Sequence, residues 1–268
     1  MAAKISIIMG VYNCADTLRE AIDSILAQTY TDWQFVICDD CSSDNSYDIL
    51  REYAAKDSRF VVLRNEKNSK LSFTLNHCLQ YANGEFVARM DGDDISVPDR
   101  LEKQLAFLQS HPEYELVGTA MRQFNEGGMI RDITKPESPN KNCMRSIVPF
   151  NHATIMTYKR VYNTLGGYTV SERTVRAQDY DLWFRFFAAG FRGYNLSEPL
   201  YHVREDLNAI KRRTFKVRWN AYKTTRIGFK MLGFPKIWLV GKFLSMIGKS
   251  LVPYRVILWY RKCQSKTV

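Results

Sequence analysis

"KISIIMGVY" (Lys4–Tyr12), followed at once by "NCADTLREAIDSILAQ" (Asn13–Gln28), decides the fold. The first segment is a short β-rich apolar run and reads as a buried strand. The second carries Leu18, Ile22, Ile25 and Leu26 at helical spacing, with Asp16 placed to cap the helix. The same unit then recurs. "DWQFVICDD" (32–40) reads as a strand, and the polar turn "CSSDNS" leads into a helix through "YDILREYAAKD". "RFVVLRN" (59–65) and "EFVARMD" (85–91) are two more strands, separated by the helix "LSFTLNHCLQYAN" that ends near Gly84. Strands that alternate with helices imply an α/β domain whose mostly parallel sheet is covered by helices.

Downstream, Pro98 opens the helix "DRLEKQLAFLQSHP". "YELVGTAMRQFNEGG" (114–128) reads as a strand that turns at its two glycines, and "ITKPESPNKN" as a loop. "NHATIMTYKRVYNTLGGY" holds a strand and a short helix stopped at Gly166, and "QDYDLWFRFFAAG" (178–190) a helix stopped at Gly190. Residues 1–206 are therefore read as one domain, with a first half over 1–97 and a second over 98–206.

The chain has 268 residues, 46% hydrophobic and 25% charged, which suits a folded core. Its six cysteines lack paired-ligand spacing. The single CxxC of Cys38 and Cys41 has no second pair, which argues against a structural zinc site. The N-terminus enters a strand without a signal-peptide pattern, so an intracellular protein is expected. The net charge of +10 is uneven, because every acid precedes residue 207 and the segment 207–268 is basic. Neither GxGxxG after the first strand nor GxxxxGK[ST] occurs, which excludes a dinucleotide fingerprint and a P-loop.

Ligands of open parallel sheets bind beyond the carboxyl ends of the strands. Tyr12-Asn13, Asp39-Asp40, Asn65-Glu66 and Asp91–Asp94 all fall at such ends. In "VARMDGDD" three acids occupy four positions, and such crowding calls for a positive partner. Hard divalent cations are the matching ligands. A capped, solvated turn is the plain alternative. A calcium-binding helix–loop–helix is excluded, because Ser96 replaces the required glycine and Pro98 sits inside the loop. Asp179 and Asp181 lie two apart and so on different helix faces. Either a helix-terminal charge or a carboxylate that takes a proton from an alcohol fits there.

Together these segments resemble the inverting glycosyltransferases of family 2, which have the GT-A fold. The resemblance spans roughly residues 4–206. "ISIIMGVYN" is similar to the family's opening strand and P-x-Y-N turn, with Gly10 where proline is usual. "FVICDDCSSDNS" resembles vDDgSxDxt, with Cys41 in place of glycine. "GEFVARMDGDD" resembles G-x-y-i-a-x-x-D-a-D-D, "FNHATIMTYKRVYNTLGGY" the acceptor-side segment, and "AQDYDLWFRF" the a-E-D-y-D-L-w segment. The resemblance implies that Val11 and Tyr12 pack around the nucleotide base. Asp39, backed by Asp40, would hold uracil or ribose, with Arg64 and Lys70 nearby. Asp91 would reach ribose or the metal, and Asp93 would ligate Mn²⁺ or Mg²⁺. Asp94 would orient the donor sugar, and Asp179 would be the general base. His152, Trp183, Gln178 and Arg204 would line the donor-sugar or acceptor pocket. His152 could equally be a structural histidine, and Trp183 a core aromatic rather than a sugar platform.

Two departures stand out. Gln178 replaces the usual glutamate before the base, and "HVRED" (202–206) puts Asp206 where Y-R-x-H has its histidine. These substitutions also suit a non-catalytic relative that only binds nucleotide sugar or saccharide. In the tail, "KIWLVGKFLSMIGKSL" (236–251) aligns Ile237, Val240, Leu244, Ile247 and Leu251 along one helical side, and "VPYRVILWYRK" adds Trp259 and Tyr260. This pattern suggests a peripheral helix on an anionic membrane, at the cytoplasmic face. Packing on the domain, a homodimer contact and a nucleic-acid adaptor are the alternatives, and no nucleic-acid module accompanies the last. The expected donor is a UDP-hexose, and the expected acceptor a lipid-linked saccharide or oligosaccharide in bacterial polysaccharide synthesis.

Overall fold

A computed structural model describes residues 3–205 and 214–251. The elements run in the order β1 (Ile5–Val11), α1 (Ala15–Leu26), β2 (Trp33–Asp39), α2 (Ser46–Ala54), β3 (Phe60–Arg64), α3 (Leu71–Tyr81), β4 (Phe86–Arg89), β5 (Ile95–Ser96) and α4 (Arg100–Ser110). They continue with β6 (Leu116–Asn125), β7 (Gly128–Ile133), β8 (Met156–Tyr158), α5 (Lys159–Leu165), α6 (Gln178–Ala188), β9 (Gly193–Arg204), α7 (Phe215–Met231) and α8 (Ile237–Leu251).

The strands form one sheet in the order β3-β2-β1-β4-β8-β6-β9-β5, with β7 hairpinned onto β6. β1 pairs in parallel with β2 on one side and with β4 on the other, and β2 pairs in parallel with β3. The carboxyl ends of β1 to β4 therefore share one edge. The chain first winds from β1 to β3 and then returns to place β4 on the far side of β1. That reversal opens a crevice beyond the strand ends. Beyond β4 the sheet turns antiparallel through β8.

The strand period of two sorts the core onto two faces. Ile5, Ile7, Met9 and Val11 of β1 meet Leu18, Ile22 and Ile25 of α1, Ile49 and Leu50 of α2 and Leu101 and Leu105 of α4. Ile8 instead joins the cluster of Leu75, Tyr162, Trp183, Phe184 and Phe229, covered by α3, α5, α6 and α7. Apolar burial of this extent supplies the main stabilisation, roughly 1.5–3 kcal/mol per large side chain.

α7 approaches α6 closely. A Cβ on Gly228 would come within 2.1 Å of the Phe184 ring, so no larger residue fits at that crossing. The first part of the basic tail thus shares a core with the catalytic region. α8 behaves differently. Ile237, Val240, Leu244 and Leu251 are all exposed, and only Met246 is buried. Asp206 and the Trp259–Tyr260 segment lie outside the described residues.

The cap expected from Asp16 is not made. Cys14 occupies the N-cap, and Asp16 lies inside the first turn. The loop after β2 caps α1 instead. Asp44 accepts from the Ala15 N–H at 3.0 Å, and Ser46 Oγ accepts from the Cys14 N–H at 2.9 Å. Asn13 Oδ1 returns a bond to the Ser43 N–H at 2.9 Å. These contacts fasten the ends of β1 and β2 together at the rim.

Candidate active site

Among the described residues three non-glycine residues adopt a left-handed backbone, and all three lie at this rim: Asn13 (φ 52°), Cys41 (φ 61°) and Lys70 (φ 72°). Such conformations cost an L-residue energy and collect at functional sites. Cys41 explains its own oddity, because a position that needs positive φ is one where glycine is the easy residue.

Asp39 is fully buried at the end of β2. Its Oδ2 accepts from the Ser42 N–H at 3.1 Å and faces Arg64 Nε at 3.2 Å, while its Oδ1 has no partner among the described residues. A buried, uncommitted carboxylate oxygen is costly unless a ligand donor reaches it. Arg64 is held beside Asp39 and stacks 4.3 Å over the Tyr47 ring. Tyr12 is 47% exposed and offers a ring at the crevice, whereas Val11 is buried in the core of β1. The structure therefore corrects the role of Val11. Strand alternation turns its side chain into the sheet, away from any base.

Asp40 stands behind Asp39 as a support of the rim. Its Oδ1 accepts from Asn65 Nδ2 (2.8 Å) and the Ser69 N–H (2.7 Å), and its Oδ2 from the Lys70 N–H (2.9 Å). Both oxygens are spent on building the turn before α3, so Asp40 supports the rim rather than touching a ligand.

The acids of "MDGDD" divide in the same way. Arg89, buried at the end of β4, grips Asp91 with Nη1 at 3.0 Å and Nη2 at 2.6 Å. Asp94 is buried, and its Oδ1 accepts from the Arg204 N–H at 2.9 Å. Burial and the charges of Asp91 and Asp93 push its carboxyl well above the usual range, opposed by the Arg204 N–H and the Tyr201 hydroxyl. Asp94 therefore ties the turn to β9 and does not face an open sugar pocket. Arg204 completes that tie. Its Nε donates to the Asp93 carbonyl at 3.0 Å, and its guanidinium pairs with Glu20 of α1.

Asp93 alone keeps an exposed carboxylate. The concave rim limits its hydration, and that, together with Asp91, raises its proton affinity. No cluster of three or more metal-ligating side chains forms among the described residues. One open carboxylate still fits Mg²⁺ or Mn²⁺, since such ions are held by one or two carboxylates and take their other oxygens from substrate phosphates. Asp91, 29% exposed and bonded to Arg89 through one N–H per oxygen, keeps lone pairs that could join such an ion.

Across the crevice, Asp179 starts α6, and its Oδ1 accepts from the Tyr180 N–H at 2.7 Å. Burial raises its pKa, while the Tyr180 N–H and the cations Arg89 and Lys135 oppose the rise. Gln178 Oε1 is buried with no partner among the described residues. Asp181, by contrast, is locked by Thr169, Arg173 and Arg185, which separates it from the chemistry.

His152 bonds Tyr168 Oη through Nε2 at 2.9 Å, and Tyr168 in turn meets Tyr162 at 2.9 Å. Burial and the Arg89 charge push His152 well below the usual histidine range, so it stays neutral. Trp183 is fully buried, edge-on to Phe150 at 5.0 Å and to His152 at 5.7 Å. Its expected role as a sugar platform is corrected, since neither ring face is open.

Sequence reasoning overlooked Arg89, Arg100, Tyr201 and Lys135. Arg100 is fully buried behind the turn, donates to the Arg89 carbonyl at 3.1 Å and lies 5.2 Å over Tyr201. The alternating pattern of "EFVARMD" was the available signal for Arg89, because it sets a basic residue in an otherwise apolar buried strand.

Residues 6–165 match the family described as Glycosyl transferase family 2. EpsE of Bacillus subtilis (strain 168), whose naming as a glycosyltransferase is provisional, is 50% identical over 213 residues, 79% of this chain and 77% of its own. The O-antigen biosynthesis glycosyltransferase WbnJ of Escherichia coli is 35% identical over 209 residues, covering 75% of this chain and 79% of its own. Among solved structures, S. aureus TarS in complex with UDP-GlcNAc superposes with a TM-score of 0.70 at 20% identity, over 85% of this chain. The chain spans 66% of that solved chain, and the likeness is one of fold.

Proposed function

Because the chain belongs to glycosyl transferase family 2, we propose that it moves a sugar from a nucleotide-sugar donor to a saccharide hydroxyl, inverting the anomeric carbon, in bacterial polysaccharide synthesis. The reading rests on one observation above others. At the shared carboxyl edge of β1 to β4, Asp39 keeps a buried, unpartnered Oδ1 and Asp93 keeps an exposed side chain, so two acids remain available to a ligand there.

The nucleoside lies against Tyr12, with Asp39 Oδ1 accepting from the base or ribose. Asp93 would hold Mn²⁺ or Mg²⁺ together with the donor diphosphate, where such an ion would supply charge neutralisation for the leaving group. Asp179 takes the proton from the acceptor hydroxyl. The freed oxygen pair bonds to the anomeric carbon as the bond to the diphosphate breaks. No protein nucleophile is needed. Partial burial suits Asp179 to this work, because a carboxylate with raised proton affinity is the better base.

A UDP-hexose is the donor class of choice, in keeping with the UDP-GlcNAc of the TarS complex. A lipid-linked saccharide is the acceptor in keeping with the GlcNAc-diphosphoundecaprenol named for the Escherichia coli glucosyltransferase WfaP, which is 25% identical over 213 residues. No helix among the described residues is long and apolar enough to cross a membrane. α8 accordingly serves as a surface helix at the cytoplasmic leaflet, with its apolar stripe toward anionic lipid.

The test is release of nucleoside diphosphate from a panel of nucleotide sugars, with Mn²⁺ or with EDTA, for wild type, Asp93→Ala and Asp179→Asn. Turnover that needs the ion and both carboxylates supports the reading. Donor binding without turnover across the panel and a range of saccharide acceptors overturns it in favour of a binding protein.

A further inference from the structure

A cavity of about 180 Å³ opens between the 172–177 turn and the start of α7. Arg173, Arg176 and Lys216 bring positive charge to its lining, and Val175, Ala177 and Val217 supply the apolar part. It shares no residue with the donor rim. Its walls are fastened to each other. Asn220 Nδ2 donates to the Glu172 carbonyl at 3.0 Å, and Thr224 Oγ1 to the Arg173 carbonyl at 3.1 Å. The charge is not balanced locally. Arg173 Nη1 meets Asp181 at 2.5 Å, but Arg185 Nε holds the same carboxylate at 2.8 Å, so one acid answers two guanidinium groups. Lys216 faces Glu172 at 3.5 Å, with both side chains mostly in water. Neither α7 nor α8 contains an acid. The cavity also reaches Ala177, the residue that caps α6, two positions before Asp179. The chain can put no more than about 7 Å between those two Cα atoms.

Resting on the reading of the chain as a transferase to a lipid-linked saccharide, we propose that this cavity holds the phosphates of that acceptor, an alkyl diphosphate joined to the sugar that receives the new bond. Guanidinium and ammonium groups donate charge-assisted hydrogen bonds to phosphate oxygens, and a neutral glycolipid would leave these cations without a counter-charge. The short span to Asp179 matches one sugar rather than a long saccharide, so the reacting hydroxyl belongs to the residue attached directly to the phosphate. The lipid has a place as well. Phe215 and Trp219, one turn apart on α7, are exposed and stacked at 6.4 Å, and Trp219 meets Phe243 of α8 at 6.4 Å. Aromatic rings of this kind favour the boundary between lipid and water. The cavity thus borders, through α7, a surface suited to hydrocarbon and, through Ala177, the start of α6.

Binding of octyl diphosphate to the full chain, followed by calorimetry with EDTA present, keeps any metal ion at Asp93 out of the measurement. Wild type binds the probe. Arg176→Gln combined with Lys216→Gln weakens binding about tenfold or more, and Lys216→Gln alone moves it in the same direction. Arg176→Lys with Lys216→Arg keeps most of the affinity. Both side chains are exposed, so the denaturation midpoint of the double Gln variant stays near that of wild type. Equal affinity in wild type and that variant overturns the proposal. Inorganic pyrophosphate that binds as tightly as octyl diphosphate overturns it in favour of free phosphate, and dihexanoyl phosphatidylglycerol that does so overturns it in favour of a bulk lipid headgroup. In turnover, a hexose on octyl diphosphate has a lower KM than the octyl glycoside of the same sugar, and the double Gln variant removes that difference. Equal KM values in wild type overturn the proposal as well. Absence of turnover from every nucleotide sugar sinks the transferase reading instead, and calorimetry still decides whether the cavity takes a diphosphate.

Discussion

Arg89 and Asp91, two residues apart across the end of β4, form a two-pronged ion pair with contacts of 3.0 Å and 2.6 Å, the guanidinium buried and the carboxylate half-exposed. The carboxylate is the counter-charge that lets an arginine sit inside the sheet. Asp91→Ala is therefore expected to lower stability by about 3 kcal/mol, the cost of an unpaired buried charge, as well as to impair donor turnover. Urea denaturation of the ligand-free protein checks the first effect. A midpoint equal to that of wild type would show that Arg89 does not depend on Asp91.

Asp94 leads to a different expectation. Its folded pKa is raised by burial and by Asp91 and Asp93. An acid with a raised folded pKa stabilises the fold below its unfolded pKa, about 4, and that contribution is lost as pH rises through the folded value. Asp94→Asn keeps an oxygen for the Arg204 N–H and removes the repelling charge. Without metal or donor, it should be the more stable protein at neutral pH, with the gap closing toward pH 4. Denaturation midpoints measured across that range decide the matter, and a gap independent of pH would contradict the assignment.

Cys41 carries a strain that glycine would not. At φ 61° an L-residue sacrifices about 1–2 kcal/mol, and the extra freedom of an unfolded glycine returns about 0.4–1 kcal/mol of that. Cys41→Gly is expected to raise the denaturation midpoint by a net of roughly 0.5–1 kcal/mol, with an unchanged slope and unchanged donor affinity. A fall in midpoint would mean that the thiol makes a contribution of its own.

The exposed stripe of α8 predicts a separable phenotype. Val240→Glu combined with Leu244→Glu should abolish sedimentation with phosphatidylglycerol vesicles and leave donor hydrolysis in solution intact, because α8 packs on α7. Wild-type binding should weaken with salt, as attraction between basic residues and anionic lipid is screened. Binding that survives the double substitution would assign membrane contact to another part of the chain.

Much of the fold was legible because its signals are local. The apolar runs of β1 to β4 and the helical spacing of Leu18, Ile22 and Ile25 are properties of short windows, and Gly166 ends α5 in a left-handed turn as its position suggests. The cap of α1 was not legible. Asp44 lies 29 residues from the N–H it serves, and nothing within the α1 segment marks it over Asp16.

The alternation of strand and helix, the shared edge of β1 to β4 and the family are legible from local periodicity and motif spacing. The same reading gathers the carboxylates at that edge. Which of them remain available depends on contacts between distant parts of the folded chain. Asp40 is spent on Ser69 and Lys70 and Asp94 on Arg204, whereas Asp39 keeps one free oxygen and Asp93 an open carboxylate. Free and committed acids look alike in a motif. They differ only in which N–H groups the folded chain brings within 3 Å, and some of those come from more than a hundred residues away.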